Sequence, residues 1–266
     1  MESQKFKYDC QGKIDTTNIR TEPWLHIIER VQSGILKGIL DKHRVVAVKF
    51  GSPVQLQEDY DIALRLYHLH IPNCLQYYCY FTCQDAISEI SHRDFTTKPY
   101  LCKGPGDTIG LTVMPYFELG SVAQYPWKAE EFAVYLNVLH QSMYALVEMY
   151  RLGDYVHPDL HLDNLMLRRT RKSNVVYGER ELPVNGLYVV VIDFETRRTG
   201  TVHLVQAIAK ILHLASAVSF PNHIVRSDVR AITELKSSEL NYPGIFDTID
   251  RLIGSFELRP IPKMSF

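Results

Sequence analysis

The spacing of hydrophobic positions changes period along the chain, and the change suggests two differently built halves. Over residues 24–50 short apolar runs are broken by Gly34, Gly38 and a polar turn at residues 41–44. Residues 45–50, VVAVKF, are rich in β-branched side chains, so this stretch predicts strands joined by a short hairpin. From residue 54 to 69 the repeat becomes helical, with Ile62, Leu66 and Leu69 on one face, and Pro72 and Asn73 stop it. Residues 75–82, dense in Tyr and Phe, and residues 109–114 read as strands. The polar connection over 84–107 leaves room for one short helix.

After Pro115 the pattern shifts. Residues 128–150 give the longest helical signal, with Phe132, Leu136, Leu139, Met143, Leu146 and Val147 at three- and four-residue steps. A short strand is predicted at 165–167 and a polar, hairpin-like insertion at 169–186. Residues 187–192, LYVVVI, form a continuous apolar run, as a buried strand requires. Helices are predicted at 203–218, 228–237 and 244–256. A mostly sheet portion with one helix, followed by a mostly helical portion, is an α+β layout. The expected division is 20–115 and 116–266.

Composition narrows the functional classes. A chain of 266 residues, 46% hydrophobic, can bury a full core without staples. Its net charge of −1 gives no general attraction to polyanions, so nucleic acid is not an expected partner. The basic group Arg168, Arg169, Arg171 and Lys172 reads as a solvated loop. No apolar run approaches the roughly 20 residues of a membrane span, and residues 1–12 lack a signal-peptide core. The expectation is a cytoplasmic protein, in a host cell or virion if viral. Five cysteines make an odd number for a disulfide framework, and Cys74, Cys79 and Cys83 lack the second pair of a zinc site. They are expected to be buried reduced thiols.

Four segments carry candidate chemistry. They are Val46-Ala47-Val48-Lys49; residues 113–121, VMPYFELGS; residues 157–165, HPDLHLDNL; and Val191-Ile192-Asp193-Phe194-Glu195. Taken singly, each has a plain structural account: a strand-end lysine, turn-forming aspartates, a capping asparagine. Taken together and in order, they resemble the protein-kinase-like superfamily over roughly residues 27–198: its strand lysine, hinge, HRDLxxxxN loop and DFG metal motif.

The resemblance implies a two-lobed fold, with a small β-rich lobe and a reduced helical lobe, that binds ATP and Mg²⁺. It implies that Asp193 and Asn164 ligate the metal and that Asp159 takes the acceptor's proton. Lys49 would contact the α- and β-phosphates as a compact charge, with Glu58 as its helix partner and Asp61 as the alternative. Gly34 falls in the phosphate-covering loop. At the hinge, Met114 backs the adenine pocket, the Pro115 carbonyl accepts from the base, and the Phe117 N–H donates to it. Pro115 loses nothing there, because only its carbonyl is used.

Departures from the family pattern are informative. The GxGxxG loop is reduced to Gly34, with Lys37 as a further charge and Gly38 beyond. Pro158 stands in place of the loop arginine, which removes a docking point for a phosphorylated segment. His161 stands where protein kinases carry a phosphate-touching lysine and related small-molecule kinases often carry His. Glu195 replaces the last glycine of DFG, which stiffens that turn and adds an acid near Asp193. Only 71 residues follow Glu195. So short a tail resembles compact kinases of large DNA viruses and the atypical RIO-like kinases. The resemblance therefore implies a Ser/Thr protein kinase acting on a protein hydroxyl. The alternatives are a small-molecule alcohol kinase of the aminoglycoside or choline type, and a pseudokinase scaffold.

Overall fold

A computed structural model describes residues 25–95, 101–102, 106–194, 200–215 and 244–257. Glu195 and the helix predicted at 228–237 lie outside the described residues. The architecture is mixed α+β. Contacts divide the described residues into two units, 25–64 with 76–116, and 65–75 with 117–257.

The first unit is built on a five-stranded antiparallel sheet of order β1-β2-β3-β5-β4. Its strands are β1 (Leu25–Gln32), β2 (Ile35–Leu40), β3 (Arg44–Gly51), β4 (Cys79–Asp85) and β5 (Asp107–Pro115). Side chains alternate across a strand, so Val46, Val48 and Phe50 enter the core with Leu36, Phe81, Leu111 and Val113. The intervening Ala47 and Lys49 point to the other face. There they pair across to Met114 and Thr112 of β5. Gly34 turns β1 into β2 with φ +73°, a conformation that favours glycine. Gly38 lets β1 and β2 approach, since a Cβ there would sit 2.8 Å from the His26 carbonyl.

Helix α1 (Pro53–His68) forms where the helical repeat predicts it, but it buries a different stripe. Leu56, Asp59, Ala63 and Leu66 are the buried positions, at three- and four-residue steps. Ile62 is only half buried and Leu69 is exposed. β4 begins at Cys79, later than the aromatic run predicts. The short helix α2 (Ile87–His92) occupies the polar connection that follows.

One cysteine expectation is corrected. Cys74 and Cys79 are free, but Cys83 is disulfide-bonded to Cys102, with Cα atoms 5.4 Å apart. Chain folding, not sequence proximity, selected the partner: Cys102 donates its backbone N–H to Asp85 at 2.9 Å, and Arg93 grips the same carboxylate. The cysteine count is therefore no guide to the redox compartment. No helix among the described residues is long and apolar enough to cross a membrane.

The second unit is organised around α3 (Phe132–Gly153), whose buried side includes Leu136, Leu139, Met143 and Leu146. Against it lie β6 (Leu165–Arg169) and β9 (Leu187–Val191), an antiparallel pair. The polar insertion is a hairpin, β7 (Asn174–Tyr177) with β8 (Arg180–Pro183). Helices α4 (Thr201–Ala215) and α5 (Gly244–Glu257) complete the unit.

Two polar knots hold these parts together. Asn73, buried at φ 65°, donates to the Val189 carbonyl at 2.7 Å and accepts from the Tyr177 hydroxyl. Its backbone N–H donates to the Tyr188 hydroxyl at 2.8 Å. Asp250 of α5 receives the Tyr144 hydroxyl at 2.6 Å and Arg180 at 2.9 Å, and lies 2.8 Å from His140. Buried polar groups persist only when satisfied in this way.

Candidate active site

In the first unit, the strand lysine has a carboxylate partner, and it is Asp59. Lys49 Nζ lies 3.6 Å from Asp59 Oδ2. The Tyr77 hydroxyl donates to the same oxygen at 2.6 Å. Glu58, the expected partner, is exposed, and Asp61 is exposed and bonded to Gln57. The reason is rotational. One residue along a helix turns the side chain by about 100°, so Glu58 faces away when Asp59 shares the stripe of Leu56, Ala63 and Leu66. The signal was present in the sequence as an acid in step with apolar positions.

Met114 is buried and shares its sheet face with Lys49, through the neighbouring pairs Ala47–Met114 and Lys49–Thr112. Pro115 ends β5 and is half buried. Lys37 bonds Glu29 at 3.1 Å and its ammonium lies 4.8 Å from the Tyr116 ring centre.

In the second unit, the segment 157–165 folds into one loop stitched to the end of β9. His157 donates from Nε2 to the Ile192 carbonyl at 2.9 Å. The Ile192 N–H donates to the Asn164 carbonyl at 3.0 Å. The Asn164 side-chain amide donates to the Asp159 carbonyl at 3.1 Å, and its backbone N–H to the His161 carbonyl at 3.0 Å. These bonds bring Asp159, Asn164 and the residue after Ile192, Asp193, to one end of the β6–β9 pair. The His157 imidazole senses the charges of both Asp193 and Asp159. Phe194 is fully buried and packs on Tyr155 and His157.

Local geometry marks the site as constrained. Asp193 has φ 64°, an uncommon backbone conformation for a residue other than glycine. Such strain is retained where surrounding structure imposes it, often at functional positions. His157 is buried, and burial pushes its pKa below the ordinary value. It is therefore neutral near pH 7. Because Nε2 carries the proton given to Ile192, Nδ1 is an acceptor, and it has no hydrogen-bond partner.

Asp159 is exposed, but its carboxyl is held below the usual range, chiefly by the hydrogen bond from Lys210. Lys210 Nζ donates to Asp159 Oδ1 at 2.8 Å. His161 sits between two acids, 3.9 Å from Asp159 and 3.7 Å from Asp163. Ser121 donates to Asp163 at 3.2 Å. Lys210 is a site residue that the motif argument missed. The available signal was its isolation as the one Lys, Arg, Asp or Glu residue in α4.

The donor set suits a hard cation. With its NH₂ committed to the Asp159 carbonyl, Asn164 keeps Oδ1 as a ligating end. An amide oxygen with a carboxylate is the sparse protein set that Mg²⁺ uses when phosphate oxygens and water complete its shell. Among the described residues, no three His, Cys, Asp or Glu side chains form a metal-holding group. No family model matches this chain, and no curated protein matches it in sequence.

Proposed function

We propose that this chain is an ATP- and Mg²⁺-dependent phosphotransferase of the protein-kinase-like, two-lobed type, acting on a Ser or Thr hydroxyl of a protein. The observation that carries the reading is the stitching of residues 157–165 to Ile192, which sets Asp159, Asn164 and Asp193 together. The pairing of Lys49 with the buried Asp59 supports it, because a lysine held by a carboxylate has a fixed direction in which to meet phosphate. The antiparallel sheet with α1 beside it and the α3-centred unit suit the small and large lobes that the fold requires.

In this reading Mg²⁺ supplies charge neutralisation of the triphosphate, and Asn164 and Asp193 hold it. Lys49 serves the α- and β-phosphates. Asp159, kept ionised, orients the acceptor hydroxyl and takes its proton. Phosphoryl transfer needs positioning and electrostatics more than covalent help, so these few groups suffice. His161, lodged between Asp159 and Asp163, is the feature that favours a small-molecule alcohol as the second acceptor class.

The test is radiolabelled ATP with casein, an aminoglycoside or choline as acceptor, with and without Mg²⁺. Label on casein, dependent on Mg²⁺ and lost in Asp193→Ala, is the expected result. Asp159→Ala should lower turnover by about 10²-fold or more while ATP binding stays close to wild type. Label only on the small alcohols would move the acceptor class. No transfer to any of them would sink the reading and leave a binding scaffold.

A further inference from the structure

Helix α4 is apolar along most of its length, and Leu204, Ile208, Ile211 and Leu212 are buried. Its lone ammonium, Lys210, reaches 51 positions back in sequence to Asp159. Both side chains stay partly exposed, 44% for Lys210 and 56% for Asp159. An exposed pair of this kind adds only about 0–1 kcal/mol to folding. Stability is therefore a poor account of a single cation directed at the residue read as proton acceptor. The other basic groups near that carboxylate are His161, 3.9 Å away and charged only when protonated, and the buried His157. Among the described residues, Lys210 is the permanent cation in hydrogen-bond contact with Asp159.

We propose that Lys210 is a positioning residue for phosphoryl transfer, holding Asp159 through Oδ1 and leaving Oδ2 to receive the acceptor's proton. The proposal rests on the phosphotransferase reading. In the step, the acceptor oxygen forms a bond to the γ-phosphorus. The bond from that phosphorus to the bridging oxygen breaks, and its electron pair leaves with ADP. The acceptor proton passes to Asp159. Lys210 exchanges no proton; it restrains the carboxylate's rotation through its bond to Oδ1. Because α4 rather than the 157–165 loop supplies the ammonium, displacement of α4 would alter turnover without touching the nucleotide.

The test compares Lys210→Ala and Lys210→Arg with wild type in the radiolabel assay. In Lys210→Ala, kcat should fall about 10- to 100-fold while KM for ATP stays within about twofold. Lys210→Arg, which keeps charge and donors, should recover most of the rate. The urea unfolding midpoint of Lys210→Ala should match that of wild type, which separates positioning from folding. An unchanged kcat, a raised kcat (an ammonium that masks Asp159) or a Lys210→Arg variant as slow as Lys210→Ala would overturn the proposal. A wild-type chain inactive on every acceptor would instead overturn the phosphotransferase reading, and this inference with it.

Discussion

Replacing Asp59 with alanine separates the structural argument for Lys49 from any motif-based choice of its partner. Asp59 is 4% exposed and holds the Tyr77 hydroxyl at 2.6 Å and Lys49 at 3.6 Å. Its removal strips a buried hydroxyl of its acceptor, which costs about 1–3 kcal/mol. Lys49 is 27% exposed, so water offsets part of its loss and that contribution is about 1 kcal/mol or less. The expected destabilisation is therefore about 1–4 kcal/mol. Glu58→Ala and Asp61→Ala remove exposed side chains and should each stay within about 0.5 kcal/mol. Urea unfolding followed by circular dichroism measures all three, and titration with a fluorescent ATP analogue reads the consequence for Lys49. ATP affinity should fall in Asp59→Ala and hold in the other two. Equal effects from Glu58→Ala, or a silent Asp59→Ala, would refute the assignment.

Two further expectations follow from the same structure. Serine at both Cys83 and Cys102 removes a crosslink between positions 19 apart, worth about 3 kcal/mol by loop closure, so urea should unfold the sheet unit at lower concentration and a reductant should reproduce the shift in wild type. His157 resists protonation in the fold because burial dominates, so below its ordinary value of 6.5 the unfolded chain binds the proton first. Its contribution is thus present above that pH and is lost as pH falls from there towards the depressed folded value, with a slope of at most about 1.4 kcal/mol per pH unit for one proton. Unfolding midpoints measured from pH 7.5 down to 5 should show that loss in wild type and a smaller one in His157→Gln; equal losses would refute the assignment.

Much of the molecule was legible before folding. Strands over 45–50 and 187–192, the long helix over 128–150 and the hairpin-like insertion could be read from period and turn chemistry, because those signals are local. The 157–165 loop and the strand that leads to Asp193 were legible for the same reason: their chemistry resides in contiguous residues. The buried face of α1 was not. A 16-residue helix with apolar residues on two sides admits two stripes, and only tertiary packing selects between them.

What sequence alone determined, then, is the order of elements and the residue types that a phosphotransferase reading needs. What tertiary structure decided is partnership: Asp59 rather than Glu58 for Lys49, Cys102 for Cys83, and Lys210 for Asp159. Each of those pairs joins residues 10 or more positions apart. Hydrophobic burial orients the elements that bring such residues together, whereas local periodicity describes only one element at a time.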